Sequence, residues 1–299
     1  MTEPETLDLV LPRLTTRALA WGPADGRLML CLHGFPDSAH GWRRLAPLLA
    51  EAGFRVVAPF MRGYAPSGIP ADGDYHVGAL VSDALDLYDC LDGGPDAVLV
   101  GHDWGAFASN AIAACPNSPF SSVVSMAVPP LAAMGQARFP LTRTIRMSLI
   151  QMRMSWYIMY FQLPSVPERT LHRVIPRLWR DWSPRGADVA EDVANTLAAL
   201  PTQAYRAAAV GYYRALVRPG GVGAPYAEFN RYLQAPPCIP ILYLHGTDDG
   251  AMQVGYTEQL ADALLPGSRV QTIAAAGHFL QVDRPAEVAA AILDYAGDG

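Results

Sequence analysis

The sequence predicts an α/β protein, with a mostly parallel central sheet, helices on both of its faces and an inserted helical cap. Two patterns support this fold class. Short, largely apolar runs bounded by glycine, proline or polar residues alternate with longer helical stretches. The alternation then stops between about residues 129 and 237, where only helical patterns occur, and resumes afterwards.

Six of these runs are short, compact and largely apolar, which is typical of buried parallel strands. They are Leu28–Leu32, Arg55–Ala58, Ala97–Val100, Ser122–Val128, Ile239–Leu244 and Arg269–Ile273. Helices are predicted between them at Gly41–Ala52, Val77–Leu91, Ala106–Ala114, Thr257–Leu265 and Glu287–Tyr295. A chain that alternates in this way builds a parallel sheet covered on both faces.

The insert has its own helical periodicity. Six apolar residues recur at steps of three and four, the spacing of one helix face: Leu141, Ile145, Leu149, Met152, Trp156 and Tyr160. A second helical stretch covers residues 203–217, and pairs of prolines at 129–130 and 236–237 bracket the insert. We therefore predict a core of residues 1–131, a helical cap of residues 132–236, and a second core segment of residues 237–299.

Composition excludes several functional classes. With 51% hydrophobic residues, the 299-residue chain can bury a large core, and a net charge of −6 argues against a nucleic-acid partner. The arginines between residues 138 and 180 are spread among apolar residues, which indicates a solvated helix face. No apolar run approaches the roughly 20 residues of a membrane span, so no membrane partner is expected.

Four scattered cysteines complete the compositional picture. Cys31, Cys90, Cys115 and Cys238 form no C-x-x-C motif, and the acidic N-terminus shows no secretory signal. We expect reduced cysteines used in packing, and a cytoplasmic protein.

The central chemical motif is Gly101-His102-Asp103-Trp104-Gly105, between a predicted strand and a predicted helix. This is the setting of a nucleophile elbow, a turn so tight that glycines must flank it. The residue at the apex is Asp103 rather than serine. With an unperturbed pKa of about 3.9, aspartate is already an anion at neutral pH and needs no base to attack. Its attack produces an ester, which a histidine and a water must then hydrolyse.

The chain order nucleophile, acid, histidine assigns that histidine to His278, just past the last predicted strand. The acid follows the strand Ile239–Leu244, where either Asp248 or Asp249 could orient the imidazole. His33 and His245, at strand ends, are predicted to shape loops through hydrogen bonds.

An oxyanion hole needs two backbone N–H groups. We assign one to Trp104, the residue after the nucleophile, and the other to Phe35, in the loop His33-Gly34-Phe35-Pro36 after the first predicted strand. A cis peptide before Pro36 would suit so tight a loop.

These motifs together carry a family resemblance. H-G-F-P (33–36) and G-H-D-W-G (101–105) resemble the epoxide hydrolase branch of the α/β-hydrolase superfamily, as do Arg62-Gly63-Tyr64 and Gly277-His278-Phe279. Phe60 and Ala65 depart from the family pattern around the Arg62 segment. The G-x-x-D spacing of the family favours Asp249 over Asp248 as the acid.

The resemblance also implies two cap tyrosines that hold and protonate the epoxide oxygen. Tyr160-Phe161-Gln162 is similar to the family's Y-F-Q stretch, and Tyr212-Tyr213-Arg214 to its W-Y-R element, which gives Tyr160 and Tyr213. The adjacent-register alternatives are Tyr157 and Tyr212. The substrate-binding residues are then expected to be Phe35, Trp104, Trp156, Tyr160, Tyr213 and Phe279.

The leading hypothesis is hydrolysis of an apolar epoxide by water through an aspartyl ester, with no cofactor or metal. The alternatives are a haloalkane dehalogenase with the same ester chemistry, and a catalytically silent ligand-binding module. A homodimer is compatible with the sequence.

Overall fold

The computed structural model describes residues 3–218 and 220–297. Their sheet has eight strands in the order β1-β2-β4-β3-β5-β6-β7-β8, parallel except where β2 pairs with β1 and with β4. The strands are β1 Glu5–Val10, β2 Thr15–Trp21, β3 Arg27–Leu32, β4 Phe54–Pro59, β5 Val98–His102, β6 Ser122–Met126, β7 Ile241–Gly246 and β8 Arg269–Ile273. The predicted α/β architecture is confirmed.

Among the described residues, five α-helices belong to the part of the chain that builds the sheet: α1 Ala46–Glu51, α2 Val77–Cys90, α3 Trp104–Ala113, α11 Leu280–Asp283 and α12 Pro285–Gly297. Between β6 and β7 the described residues form helices and loops without strands. The helices of this inserted cap are α4 Leu131–Met134, α5 Leu141–Met154, α6 Trp156–Tyr160, α7 Val166–Trp182, α8 Ala190–Ala199, α9 Gln203–Val217 and α10 Ala227–Asn230.

The strand order places the loops that follow β3 and β5 side by side. β3 lies between β4 and β5, with Leu32 level with Gly101. After β3 the chain adds β4 on one side of that strand and later adds β5 on its other side. In open parallel sheets the crevice for ligands forms at such a point, outside the carboxyl ends of the strands. The loops that follow β7 and β8 begin at the same edge.

All six predicted strands are present, but the sequence did not reveal the antiparallel pair β1 and β2. β1 lies at the edge, and its residues alternate between exposed and half-buried. β2 lies between β1 and β4 and is buried over Ala18–Trp21, but it begins with Thr15, Thr16 and Arg17. Neither strand is therefore the short, continuously apolar run that is typical of a buried parallel strand.

The predicted helix Thr257–Leu265 is wrong. The segment forms two short 3₁₀ turns, Val254–Thr257 and Ala261–Ala263. Between them Gln259 has a φ of 65°, which a helix does not allow. Its side chain accepts a hydrogen bond from the Arg138 N–H at 2.9 Å and donates one to the Arg138 carbonyl at 3.0 Å. This contact with the cap overrides the local helix preference.

The four cysteines are free, but only Cys31 is fully buried, whereas Cys90 and Cys238 are exposed. The expectation that all four serve in packing is therefore wrong for these two.

Among the described residues, no helix combines the length and the apolar character needed to cross a bilayer.

A buried ion pair anchors the loop after β4. Arg62 donates to both carboxylate oxygens of Asp83 on α2 at 2.6 Å and to the carbonyl of Asp74 at 2.6 Å. The Arg62 carbonyl in turn accepts a hydrogen bond from the hydroxyl of Tyr212 on α9 at 2.8 Å. This arginine therefore links the core to the cap helix next to the site.

Replacing Asp83 by Ala should lower the free energy of unfolding by about 3 kcal/mol, because it leaves a buried guanidinium without its carboxylate. Asp181→Ala is the matched control, since it removes an exposed partner of Arg177 and should cost less than about 1 kcal/mol. Urea unfolding followed by circular dichroism measures both. Equal losses in the two variants would contradict the structural role given to Arg62.

Candidate active site

Asp103 stands at the apex of a sharp turn between β5 and α3. Its backbone has φ 53° and ψ −110°, a strained conformation for a residue with a side chain. A Cβ atom on Gly101 would lie 2.1 Å from the carbonyl oxygen of Gly105, and one on Gly105 would lie 2.1 Å from that of Leu32. The flanking glycines are therefore required by close backbone approach, and the turn has the geometry of a nucleophile elbow.

The loop after β3 contacts the Asp103 carboxylate directly. The N–H of Phe35 donates to Asp103 Oδ1 at 2.8 Å, and the Phe35–Pro36 peptide is cis, as expected. A Cβ on Gly34 would approach Oδ1 to 2.3 Å, so only glycine fits beneath the carboxylate. Trp104 is the first residue of α3, where a backbone N–H has no acceptor within its helix.

Two carboxylates flank the ring of His278, which is buried. Its Nδ1 lies 2.9 Å from Oδ2 of Asp249, and its Nε2 lies 3.5 Å from Oδ2 of Asp103. The other oxygen of Asp249 accepts hydrogen bonds from the N–H groups of Ala251 and Met252. Asp248 is exposed and its carboxylate bonds to Thr247, so the structure places Asp249, not Asp248, beside the histidine.

Residues outside the predicted set fix the histidine. The backbone N–H of His278 donates to the backbone carbonyl of Trp182 at 2.8 Å, and the Trp182 ring packs edge-on against the imidazole. The Nε2 of His102 lies 2.9 Å from the His278 carbonyl oxygen. Burial lowers the pKa of His102 to about 3, so it stays neutral and donates this hydrogen bond.

The neighbouring charges control the protonation of His278. Burial alone would lower its pKa, but the carboxylates of Asp249 and Asp103 outweigh that effect and raise it to about 10. Burial would likewise raise the pKa of Asp249, but the His278 imidazolium lowers it below its usual value. The site at neutral pH is therefore an imidazolium between two carboxylates.

A mostly apolar cavity of about 80 Å³ lies above Asp103, under the cap. Its walls are formed by Asp103, Trp104, Phe107, Val128, Gln151, Ser155, Tyr157, Ile158, Tyr213, Leu216, Ala251, Met252 and His278. Two phenols face this space, Tyr157 from α6 and Tyr213 from α9, and their ring centroids are 5.5 Å apart. The hydroxyl of Tyr213 is buried near the Trp104 side chain, and it makes no hydrogen bond of normal geometry with the described residues.

Burial, and next the negative charge of Asp103, raise the pKa of both Tyr157 and Tyr213 well above the usual value of a phenol. Both therefore keep their protons at neutral pH. They are available as hydrogen-bond donors toward a ligand that sits over the carboxylate.

Tyr160 lies outside this cavity, which corrects the choice made from the sequence. Its hydroxyl forms a hydrogen bond of 2.5 Å with the Thr170 hydroxyl at the start of α7. Tyr157, the alternative, is the tyrosine of α6 that faces Asp103. Residues three apart on a helix point about 60° apart, and α6 has only five residues, so the tyrosines reach different surroundings.

Three further residues that were predicted to bind substrate have side chains that lie away from the cavity. Trp156 lies on the outer surface of the cap beneath the guanidinium of Arg177, 4.7 Å from its ring centroid. Phe279 stacks on Trp179 at 3.5 Å and supports the histidine loop. The Phe35 ring packs behind Tyr213 and Phe161, so Phe35 meets the site through its N–H alone.

Tyr212, the other alternative, is fully buried between core and cap and bonds to the Arg62 carbonyl. The predicted loop roles of His33 and His245 match their contacts. His33 contacts the Met61 N–H and the Gly34 carbonyl, while His245 contacts the Tyr243 hydroxyl and the Met252 carbonyl.

The polar cap residues Gln151 and Ser155 were missed as cavity walls. Their positions in the helical pattern carry no chemical signature, because any residue on the inner face of α5 would be equally placed. His102 and Trp182 were missed as supports of His278 for different reasons. The nearness of His102 to the nucleophile was an available signal, whereas Trp182 reaches the site only through folding of the cap.

The Asp103→Asn variant should lower the pKa of His278 by at least about one unit, because it removes a negative charge beside Nε2. An NMR titration of the imidazole, assigned through His278→Gln, measures this value. Asp248→Asn is the control, since Asp248 is exposed and bonds elsewhere, and it should leave the titration unchanged. An unaltered titration in Asp103→Asn would show that the two groups are not coupled.

Comparisons with known proteins agree with this architecture. A family model described as alpha/beta hydrolase fold matches residues 27–285. The chain is 31% identical to epoxide hydrolase A of Mycobacterium tuberculosis over 93% of each protein. It is 30% identical to an epoxide hydrolase of Caballeronia sordidicola, over 88% of this chain and 85% of that one.

Solved structures show the same fold. A putative epoxide hydrolase from Klebsiella pneumoniae superposes with a TM-score of 0.83 at 24% identity, covering 98% of this chain and 97% of that one. Epoxide hydrolase A from Mycobacterium thermoresistibile gives 0.76 at 25% identity, covering 98% of each. The chain belongs to the epoxide hydrolase family of the α/β-hydrolase fold.

Proposed function

We propose that this protein is an epoxide hydrolase that converts an apolar epoxide and water to a vicinal diol through an ester on Asp103. The observation that carries the proposal is the arrangement of one carboxylate below two phenols. Asp103 is held from below by the Phe35 N–H, while Tyr157 and Tyr213 face it across the cavity. The family membership supports the same activity.

Ring opening begins with both phenols donating hydrogen bonds to the epoxide oxygen. Asp103 Oδ2 attacks a ring carbon, since Oδ1 is engaged by Phe35. A carbon–oxygen bond of the ring breaks as the ester bond forms, and the released alkoxide takes a proton from a tyrosine. Alkoxides are far more basic than phenolates, so the transfer is favourable. The tyrosine regains its proton from the His278 imidazolium.

Formation of the ester changes the state of the histidine. The ester carries no negative charge, so one of the two carboxylates that raise the pKa of His278 is lost. The imidazole becomes neutral and, still held by Asp249, takes a proton from a water molecule. The first step therefore converts the histidine from an acid into the base required by the second step.

Hydrolysis uses the hydrogen bond from the Phe35 N–H that is already present at Oδ1. Hydroxide attacks the ester carbonyl carbon, and the negative charge that develops on Oδ1 is stabilised by the N–H groups of Phe35 and Trp104. Collapse of the intermediate breaks the ester bond, and the departing alkoxide takes the proton of the newly added hydroxyl group, so the diol leaves and Asp103 is again a carboxylate. The proton taken from water leaves His278 charged again beside an ionised Asp103, which restores the starting state.

The His278→Gln variant should accumulate the ester, because alkylation can proceed but the base for hydrolysis is absent. Intact-protein mass spectrometry should show an increase equal to the mass of the epoxide. Asp103→Ala should show neither the adduct nor diol formation, whereas Asp248→Ala should behave as wild type. Diol formation by Asp103→Ala would contradict the mechanism, and halide release from bromoalkanes without epoxide turnover would favour dehalogenation.

The assignment of Tyr157 rather than Tyr160 as a donor to the epoxide can be tested with matched variants, because both tyrosines lie on α6. Tyr157→Phe and Tyr213→Phe should each lower the rate of alkylation by about 100-fold, because each removes a donor to the epoxide oxygen. Tyr160→Phe should stay within about twofold of wild type, since its hydroxyl bonds to Thr170. Single-turnover kinetics separates alkylation from hydrolysis. A larger loss in Tyr160→Phe than in Tyr157→Phe would restore the sequence-based choice.

A further inference from the structure

The charge of the cap is opposite to that of the whole chain. Residues 138–185 contain nine arginines and only two acidic residues, Glu168 and Asp181, although the chain has a net charge of −6. Both acids are already paired, Glu168 with Arg214 at 2.7 Å and Asp181 with Arg177 at 3.2 Å. This part of the cap therefore presents a basic surface on an acidic protein.

The same surface carries an apolar stripe on α5. Leu141, Ile145, Leu149 and Met152 follow one another at steps of four, four and three, so they share one face of the helix. All four are exposed, by 51–74%. The periodicity seen in the sequence thus lies on the outside of the molecule, where no described residue covers it. A contiguous apolar face of this kind marks an interaction site.

Arginines border the stripe along one side. Arg146 and Arg153 are exposed and occupy the adjacent angular positions of α5. The chain has no acidic residue between Asp103 and Glu168, and Arg143 reaches Glu258 of the core for its ion pair. An apolar stripe bordered by arginines is the pattern of a helix that lies at a charged lipid surface.

The opposite face of α5 packs on the core and reaches the catalytic cavity at one residue. Met147 is buried, and Gln151 lines the cavity above Asp103. The helix that carries the exposed stripe is therefore also a wall of the site, and a surface that binds the stripe lies one helix diameter from the reacting atoms.

We propose that α5 docks this protein on the surface of an anionic lipid bilayer, with its apolar stripe among the acyl chains and Arg146 and Arg153 at the headgroups. Docking of this kind needs no spanning segment, so it is compatible with the described helices. The sequence-based expectation of no membrane partner considered spanning segments alone, and contact with a bilayer surface is a different mode of binding. A bilayer also concentrates apolar molecules, and this part of the proposal rests on the proposed epoxide hydrolysis.

A second copy of the chain fits the surface less well. In a twofold dimer the same patch meets itself, so the arginines along one stripe would face those of the other. No acidic residue of α5 is present to compensate them. An anionic bilayer supplies the complementary charge instead.

The test is co-sedimentation of the full chain with vesicles of phosphatidylcholine alone or mixed equally with phosphatidylglycerol. Wild type should bind the mixed vesicles and lose binding as salt is raised. The double variants Ile145→Ser/Leu149→Ser and Arg146→Gln/Arg153→Gln should each bind at least about tenfold more weakly. Val10→Ser and Arg231→Gln change an exposed apolar residue and an exposed arginine elsewhere and should bind as wild type.

Turnover of a water-soluble epoxide should be equal in all these proteins, which shows that the fold and the site are intact. Failure of epoxide turnover in wild type would remove the proposed function and leave the vesicle result standing. Absence of wild-type binding to anionic vesicles, or equal binding by the stripe variants, would overturn the docking proposal. A wild-type dimer that the stripe variants dissociate, without vesicle binding, would assign the surface to a second copy instead.

Discussion

A carboxylate fixed at a strained turn is the constraint on which the rest of the site depends. The backbone of Asp103 is held with a positive φ between β5 and α3, and this geometry persists only because the surrounding chain leaves room for it. Gly101 and Gly105 allow the backbone to approach closely, and Gly34 allows the loop after β3 to pass beneath the side chain. The carboxylate then meets both the Phe35 N–H and the histidine.

The charge of that carboxylate also determines the behaviour of His278. Two negative groups around one buried imidazole hold it as a cation, although burial by itself would favour the neutral form. In the proposed mechanism, the loss of one of these charges on ester formation supplies the base at the moment it is needed. Positioning through the Trp182 carbonyl and the His102 ring keeps the imidazole in place throughout.

The inner and outer sides of the cap have different roles. Its inner side supplies Tyr157 and Tyr213, whose phenols stay protonated because they are buried beside an anion. Its outer side carries the apolar stripe and the arginines of α5. One layer of helices thus separates the reacting atoms from the surface at which we propose that the protein meets lipid.

The sequence by itself determined the α/β architecture and the positions of Asp103, Phe35 and His278. A buried strand and a glycine-flanked turn are each encoded within a few residues, and the order of the catalytic groups along the chain locates the histidine after the last strand. The tertiary structure decided that Asp249 rather than Asp248 lies beside His278, and that Tyr157 rather than Tyr160 lines the cavity. It also decided that the stripe of α5 faces outward. Helical periodicity identifies a face, but only packing against the core fixes the direction in which that face points.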